Sequence, residues 1–133
     1  ELAALAPHAS FGGHTRFHPI LPRCSDAVAR KEISGSRDEL ERMLGHTIDH
    51  FAYPNGDYGP RDVALVREAG YRSARTIQAG WNGPGTDPYE LRATCVEDDA
   101  SLNVLALRVS GVLIPFVKLR KIWQRLMPAR RRS

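Results

Sequence analysis

The sequence predicts an α/β fold of parallel βαβ units, ending in a basic amphipathic helix, and three observations carry that prediction. Segments that favour strand alternate with segments of helical period, in the order strand, helix, strand, helix, strand. The connections between them are short, which suits crossovers between neighbouring parallel strands. Third, the 133 residues are 42% hydrophobic and 26% charged, a globular composition long enough to bury a core.

Taken in order, Glu1-Leu2-Ala3-Ala4-Leu5-Ala6 reads as the end of a helix that stops near Pro7, because a residue before proline is pushed out of the α region. It carries neither a starting Met nor an N-cap, so the chain is read as the C-terminal part of something longer. Ala9 to Gly13 is expected to be a short strand that delivers His14 to a loop. Ser25 is placed to cap a helix running to Leu44, with Gly45 as its left-handed stop. Ala29, Ile33, Leu40 and Leu44 form its apolar stripe, while Arg30, Lys31, Arg37, Asp38, Glu41 and Arg42 lie largely off it. Gly35 weakens the middle of that helix by about 1 kcal/mol relative to Ala.

Ile48 to Tyr53 reads as a strand, and Pro54 to Asp57 as a turn. Pro60 suits the first turn of a second helix, with Val63 and Val66 facing inward and Gly70 just past its end. Tyr71 to Ile77 favours strand. Residues 78–89, with three Gly and two Pro, read as loop. Leu91 to Val96 is a further strand candidate, and Ser101 caps a short helix with Leu102, Leu105 and Val109 inward, ended by Gly111.

Charge divides the chain. Residues 1–99 hold 11 basic and 15 acidic side chains, net −4, whereas residues 100–133 hold 8 basic and none acidic, net +8. The expected organisation is therefore a domain over 1–111 and a basic tail over 112–133. In the tail, Phe116, Leu119, Ile122, Trp123, Leu126 and Met127 share one helical face, opposite Lys118, Lys121, Gln124 and Arg125, with Arg120 on the flank. Such a helix either covers the body's apolar surface, the favoured alternative, or makes peripheral contact with an anionic membrane. Nucleic acid is not an expected partner. No apolar run reaches the roughly 18 residues of a membrane span, no signal peptide is visible, and cell envelope and cytoplasm both stay open as compartments. Cys24 and Cys95 fit no Cys-x-x-Cys pattern, leaving one disulfide or two free thiols.

The chemistry concentrates in Gly12-Gly13-His14-Thr15-Arg16-Phe17-His18-Pro19. Two imidazoles four residues apart lie on one face of a helix or of a strand, so both rings can converge on a point. Neutral imidazole is the commonest protein ligand for zinc-type metals. A second stretch, Phe51-Ala52-Tyr53-Pro54-Asn55-Gly56, ends the next apolar run.

Together, in this order, the two stretches resemble the polysaccharide deacetylases of the NodB-homology type, a carbohydrate esterase family. Its second motif is His-Ser/Thr-x-x-His, and some branches read Phe-Ala-Tyr-Pro-x-Gly at the third. The resemblance covers about residues 1–97 and implies a distorted (β/α) barrel, here partial, with its site at the C-terminal ends of the strands. It implies a divalent metal, most often zinc, held by His14 and His18, and a polysaccharide or glycan substrate that loses N-acetyl groups. It also implies a third ligand and a general base from a Thr-Phe-Asp-Asp-Gly-like motif that these residues lack. Asp98-Asp99 is the only Asp-Asp pair and stands in the wrong context. The isolated chain is therefore expected to be inactive.

Aligning on Pro54 puts Ala52 where many members have an arginine. The backbone N–H of Asn55 remains a candidate donor to the oxyanion. Tyr53, Pro54 and Asn55 either line a sugar groove or form an ordinary strand end and turn. Trp81 either stacks on a sugar or anchors its loop. No Leu-x-His motif follows, and His8, His46 and His50 read as structural or surface residues. The alternative to an enzyme is a non-catalytic module that binds glycan, or an anionic surface through the tail.

Overall fold

In the computed structural model, residues 2–5, 8–96 and 98–111 are described. They fall into two compact units, 2–78 with 82–93, and 79–81 with 94–111. The proposed tail, 112–133, lies outside the described residues.

The first unit holds α1 (Leu2–Leu5), α2 (Asp26–Leu44), β1 (His50–Ala52), α3 (Pro60–Glu68), β2 (Ser73–Ala79) up to Gln78, and β3 (Leu91–Ala93). The sheet order is β1-β2-β3, and β1 pairs with β2 in parallel through Phe51 opposite Ala74. The fold class is as expected, α/β with parallel strands. The strand expected over Ala9 to Gly13 contracts to a single parallel bridge between Gly13 and Phe51. Gly13 N–H donates to the His50 carbonyl at 2.8 Å, and Ala52 N–H donates to the Gly13 carbonyl at 2.9 Å.

Helix α2 matches its capping signals at both ends. Ser25 Oγ accepts from Val28 N–H, and Gly45 closes the helix at φ 73°. Its stripe places Ala29 and Ile33 in the core with Phe51, Leu65, Val66 and Tyr71. Full burial of a side chain the size of Ile33 or Leu65 stabilises the fold by about 1.5–3 kcal/mol. Gly35 has a specific reason to lack a side chain, because a Cβ there would fall 2.7 Å from Cδ of Arg16. Arg37, placed off the stripe by the sequence, turns inward instead. Its guanidinium donates to the carbonyls of Ile48 (3.2 Å) and Ala69 (2.6 Å) and pairs with Glu41, satisfying a helix end that would otherwise leave acceptors open.

Helix α3 begins at Pro60, and the Asp62 carboxylate reaches back to the Gly59 N–H at 2.9 Å. Arg61 ties this helix to the chain before α2 through the carbonyls of Leu21 and Cys24. The strand after it starts and ends two residues later than expected, and Thr76 Oγ1 donates to the Leu91 carbonyl across to β3. The expected loop over 78–89 is accordingly shorter, and the last strand stops at Ala93 rather than Val96.

The second unit contains α4 (Leu102–Val109), capped by Ser101 as expected, with Gly111 at φ 75° just beyond it. Leu102 and Val109 are not inward, being 82% and 53% exposed. Amphipathic spacing fixes which residues share a face, but not whether anything covers that face. Cys24 and Cys95 are free thiols. No helix among the described residues is long and apolar enough to cross a membrane.

Candidate functional site

The two stretches singled out from the sequence meet at one edge of the sheet. Because Gly13 runs parallel to Phe51, His14 follows it at the carboxyl-terminal end of β1, beside Ala52, the edge at which parallel α/β sheets present their sites. Gly13 permits the approach: a Cβ there would fall 2.1 Å from the Tyr71 hydroxyl. That hydroxyl donates to the Ile33 carbonyl of α2 at 3.2 Å, and burial pushes its pKa up to about 12.

His14 is held from two sides. Its backbone N–H donates to Ser36 Oγ at 3.3 Å, and its ring Nδ1 lies 2.7 Å from the Ala52 carbonyl oxygen. A carbonyl only accepts, so Nδ1 is assigned the proton, and the neutral ring keeps its lone pair on Nε2. Metal-binding histidines are typically oriented in this way, by a hydrogen bond from the other ring nitrogen. The His18 ring stands 4.8 Å from that of His14, centroid to centroid, at 70°. Both side chains are exposed.

The loop between them is fastened by polar groups. Thr15 Oγ1 donates to the His14 carbonyl and accepts from the His18 N–H at 3.0 Å. The carboxylate of Glu32, buried on α2, accepts from the N–H groups of Arg16 (3.0 Å) and Phe17 (2.9 Å), and Arg16 pairs with Glu39. Sequence reasoning passed over Glu32 and Ser36. The signal was present, since both fall at stripe spacing with Ala29 and Ile33, and a polar residue on a buried stripe needs a partner.

Backbone strain gathers here as well. Among the described residues the non-glycine positions with positive φ are Thr15 (63°), His18 (56°) and Asn55 (54°). Such residues cost of order 1–3 kcal/mol each and cluster at functional sites.

At the second stretch the three candidate residues separate. Tyr53 and Pro54 are buried, so neither side chain lines an open groove. The Tyr53 hydroxyl donates to the Tyr89 carbonyl at 3.0 Å, and burial raises its pKa further than that of Tyr71. Apolar and aromatic residues at a strand end are pulled into the core, here against Phe51 and Tyr58. Asn55 is exposed, and its backbone N–H donates to no group among the described residues. Trp81 falls in the second unit, half exposed, where a Cβ on Gly111 would lie 2.0 Å from its indole nitrogen.

The other histidines lie outside this pair. His46 bonds to the Thr47 carbonyl and His50 to Ser73 Oγ. Asp98 and Asp99 sit in an exposed turn of the second unit. Among the described residues, no three His, Cys, Asp or Glu side chains gather where they could hold a metal ion.

The family model for polysaccharide deacetylase matches residues 3–74. Among solved structures, the Streptococcus pyogenes deacetylase PplD, in complex with acetate, is 25% identical with a TM-score of 0.71, over 74% of this chain and 44% of that one. A polysaccharide deacetylase from Bacillus cereus is 21% identical with a TM-score of 0.68, over 75% of this chain and 32% of that one. The chain thus spans less than half the length of either, and no curated protein matches it. With the family model covering more than half of its residues, the chain belongs to the polysaccharide deacetylase family.

Proposed function

We propose that this chain supplies part of the active site of a metal-dependent hydrolase that removes N-acetyl groups from a polysaccharide or glycan. The observation that carries the proposal is the His14–His18 pair. One ring has its Nδ1 committed to the Ala52 carbonyl and its Nε2 free, and the second ring stands 4.8 Å away at the same sheet edge. The donor chemistry suits a divalent ion such as zinc. When bound, such an ion polarises an amide carbonyl and lowers the pKa of a bound water.

The chain's own residues then have separable roles. His14 and His18 hold the ion, Glu32 and Thr15 fix the loop that spaces them, and the Asn55 N–H is free to donate to an oxyanion. Two imidazoles are short of the three protein ligands usual at catalytic zinc. In this proposal the third ligand and the base come from an Asp-Asp motif outside residues 1–133, as the family resemblance implies.

The test is acetate release from N-acetylglucosamine oligomers. Residues 1–133 alone should release none. A chain that also carries a first strand with the Asp-Asp motif, native or grafted, should release acetate in a manner abolished by a chelator and by His14→Ala. Chelator-resistant release from the short chain contradicts the proposal. Inactivity of the extended chain with a fully loaded metal site favours the non-catalytic glycan-binding module.

A further inference from the structure

A cleft of about 490 Å³ opens beside the Asn55 turn, lined by Gly56, Asp57, Tyr58, Pro60, Gln78 and Glu90 among others. Its walls are held in place. Gly56 follows Asn55 directly at φ 71°, and a Cβ there would fall 2.2 Å from the Ile77 side chain, so the turn is pressed against β2. The Tyr58 ring stacks on the buried Tyr53 ring at 4.6 Å and 21°. Its hydroxyl accepts from the Gln78 amide at 2.9 Å. An aromatic side chain is thus fixed through one face and through its hydroxyl, beside an open cleft.

We propose that this cleft is a saccharide-binding subsite in which a sugar ring of the glycan stacks on Tyr58 and hydrogen-bonds to Asp57, Gln78 and Glu90. The inference rests on the deacetylase reading for the identity of the glycan, but its chemistry is independent of the metal. A pyranose presents an apolar C–H face and a rim of hydroxyl groups. The first suits an immobile aromatic ring, and the second suits carboxylates that accept and an amide that both donates and accepts. The mixture of an apolar floor with a few convergent polar groups is that of a small-molecule site, and the volume lies within the 300–1,000 Å³ usual for one. Asp57 and Glu90 bring carboxylate acceptors to the lining. The cleft lining includes no basic side chain, which disfavours a phosphate or another anion as occupant.

The test is titration of residues 1–133 with the tetramer of N-acetylglucosamine, without metal, followed by backbone amide NMR. Saturable shifts are expected at Gly56, Tyr58 and Gln78. Tyr58→Ala should weaken binding by about tenfold, and Glu90→Gln by a smaller factor of roughly three, in the range of lost single contacts. Tyr58→Phe, which keeps the ring, should retain most of the affinity. Absence of saturable shifts at these residues overturns the proposal, as does unchanged affinity in both Tyr58→Ala and Glu90→Gln. If Tyr58→Ala does not fold, Glu90→Gln with Gln78→Ala decides, and unchanged affinity in that double variant overturns it. Tetramer binding at Tyr58 in a chain whose histidines take up no metal leaves the subsite standing and removes the deacetylase reading.

Discussion

The chain adopts left-handed backbone in two kinds of place, and it solves them differently. Where it only turns, it uses glycine. Gly45 closes α2 at φ 73°, and Gly70 follows α3 at φ 85°, as expected where no Cβ can be tolerated cheaply. At the candidate site it keeps side chains on the same kind of backbone, at Thr15, His18 and Asn55. Turn geometry alone would be satisfied there by glycine. What the three residues retain is an imidazole, a hydroxyl that ties the His18 N–H, and an exposed amide beside a free backbone donor. In the loop of Thr15 and His18 the strain is offset by the cradle from α2, where Glu32 takes two backbone N–H groups and Ser36 a third. Plain turns need no such cradle, and a Cβ at Gly45 would meet nothing within 4 Å.

Substitutions at the two kinds of place should separate in size and in sign. The largest loss is expected at Gly13→Ala, whose Cβ would displace the Tyr71 hydroxyl from under the site, at about 2–3 kcal/mol for an overpacked core position. Chemical denaturation measures it, and a loss below that of Gly45→Ala would break the account of why glycine stands there. Glu32→Ala should cost about 2 kcal/mol, since hydrogen bonds to a charged group exceed the ordinary kind. Amide hydrogen exchange at Arg16 and Phe17 should rise in that variant before exchange in the sheet does.

The next pair tests the comparison by sign. Gly45→Ala should destabilise by about 1–2 kcal/mol, the cost of left-handed backbone for an alanine. His18→Gly has the opposite expectation, a gain of up to about 1 kcal/mol as the same penalty is removed. Thermal melts of both variants suffice, and a destabilised His18→Gly would show that the imidazole contributes to the fold itself. Asn55→Gly should be the smallest, within about 0.5 kcal/mol, because Asn visits this region more readily than other side chains.

Much of this arrangement was legible in the sequence, and the gaps have physical causes. Caps carry local instructions, so Ser25, Gly45, Pro60 and Ser101 fixed their helix ends correctly. Histidine spacing identified the pair that the structure brings within 4.8 Å. The strand expected over Ala9 to Gly13 became one bridge because strand length depends on partners, and β1 supplies only three residues. Glu32 and Ser36 were missed because their partners, the loop N–H groups, come from residues 14–17, and no local pattern records that pairing. For Tyr53 the sequence left a sugar groove and an ordinary strand end both open, and the ring is buried against Phe51 and Tyr58. The inward face assigned to α4 failed for a related reason, since period alone does not name a neighbour.

Zinc titration of residues 1–133 by calorimetry tests the central claim most directly, comparing the unaltered chain with His14→Ala, His18→Ala and His50→Ala. If the strained loop exists to hold a metal, the unaltered chain and His50→Ala should each take up one zinc ion weakly, as expected of a site with two imidazoles. His14→Ala and His18→Ala should lose that binding while remaining folded by circular dichroism. Four superimposable isotherms would contradict the account.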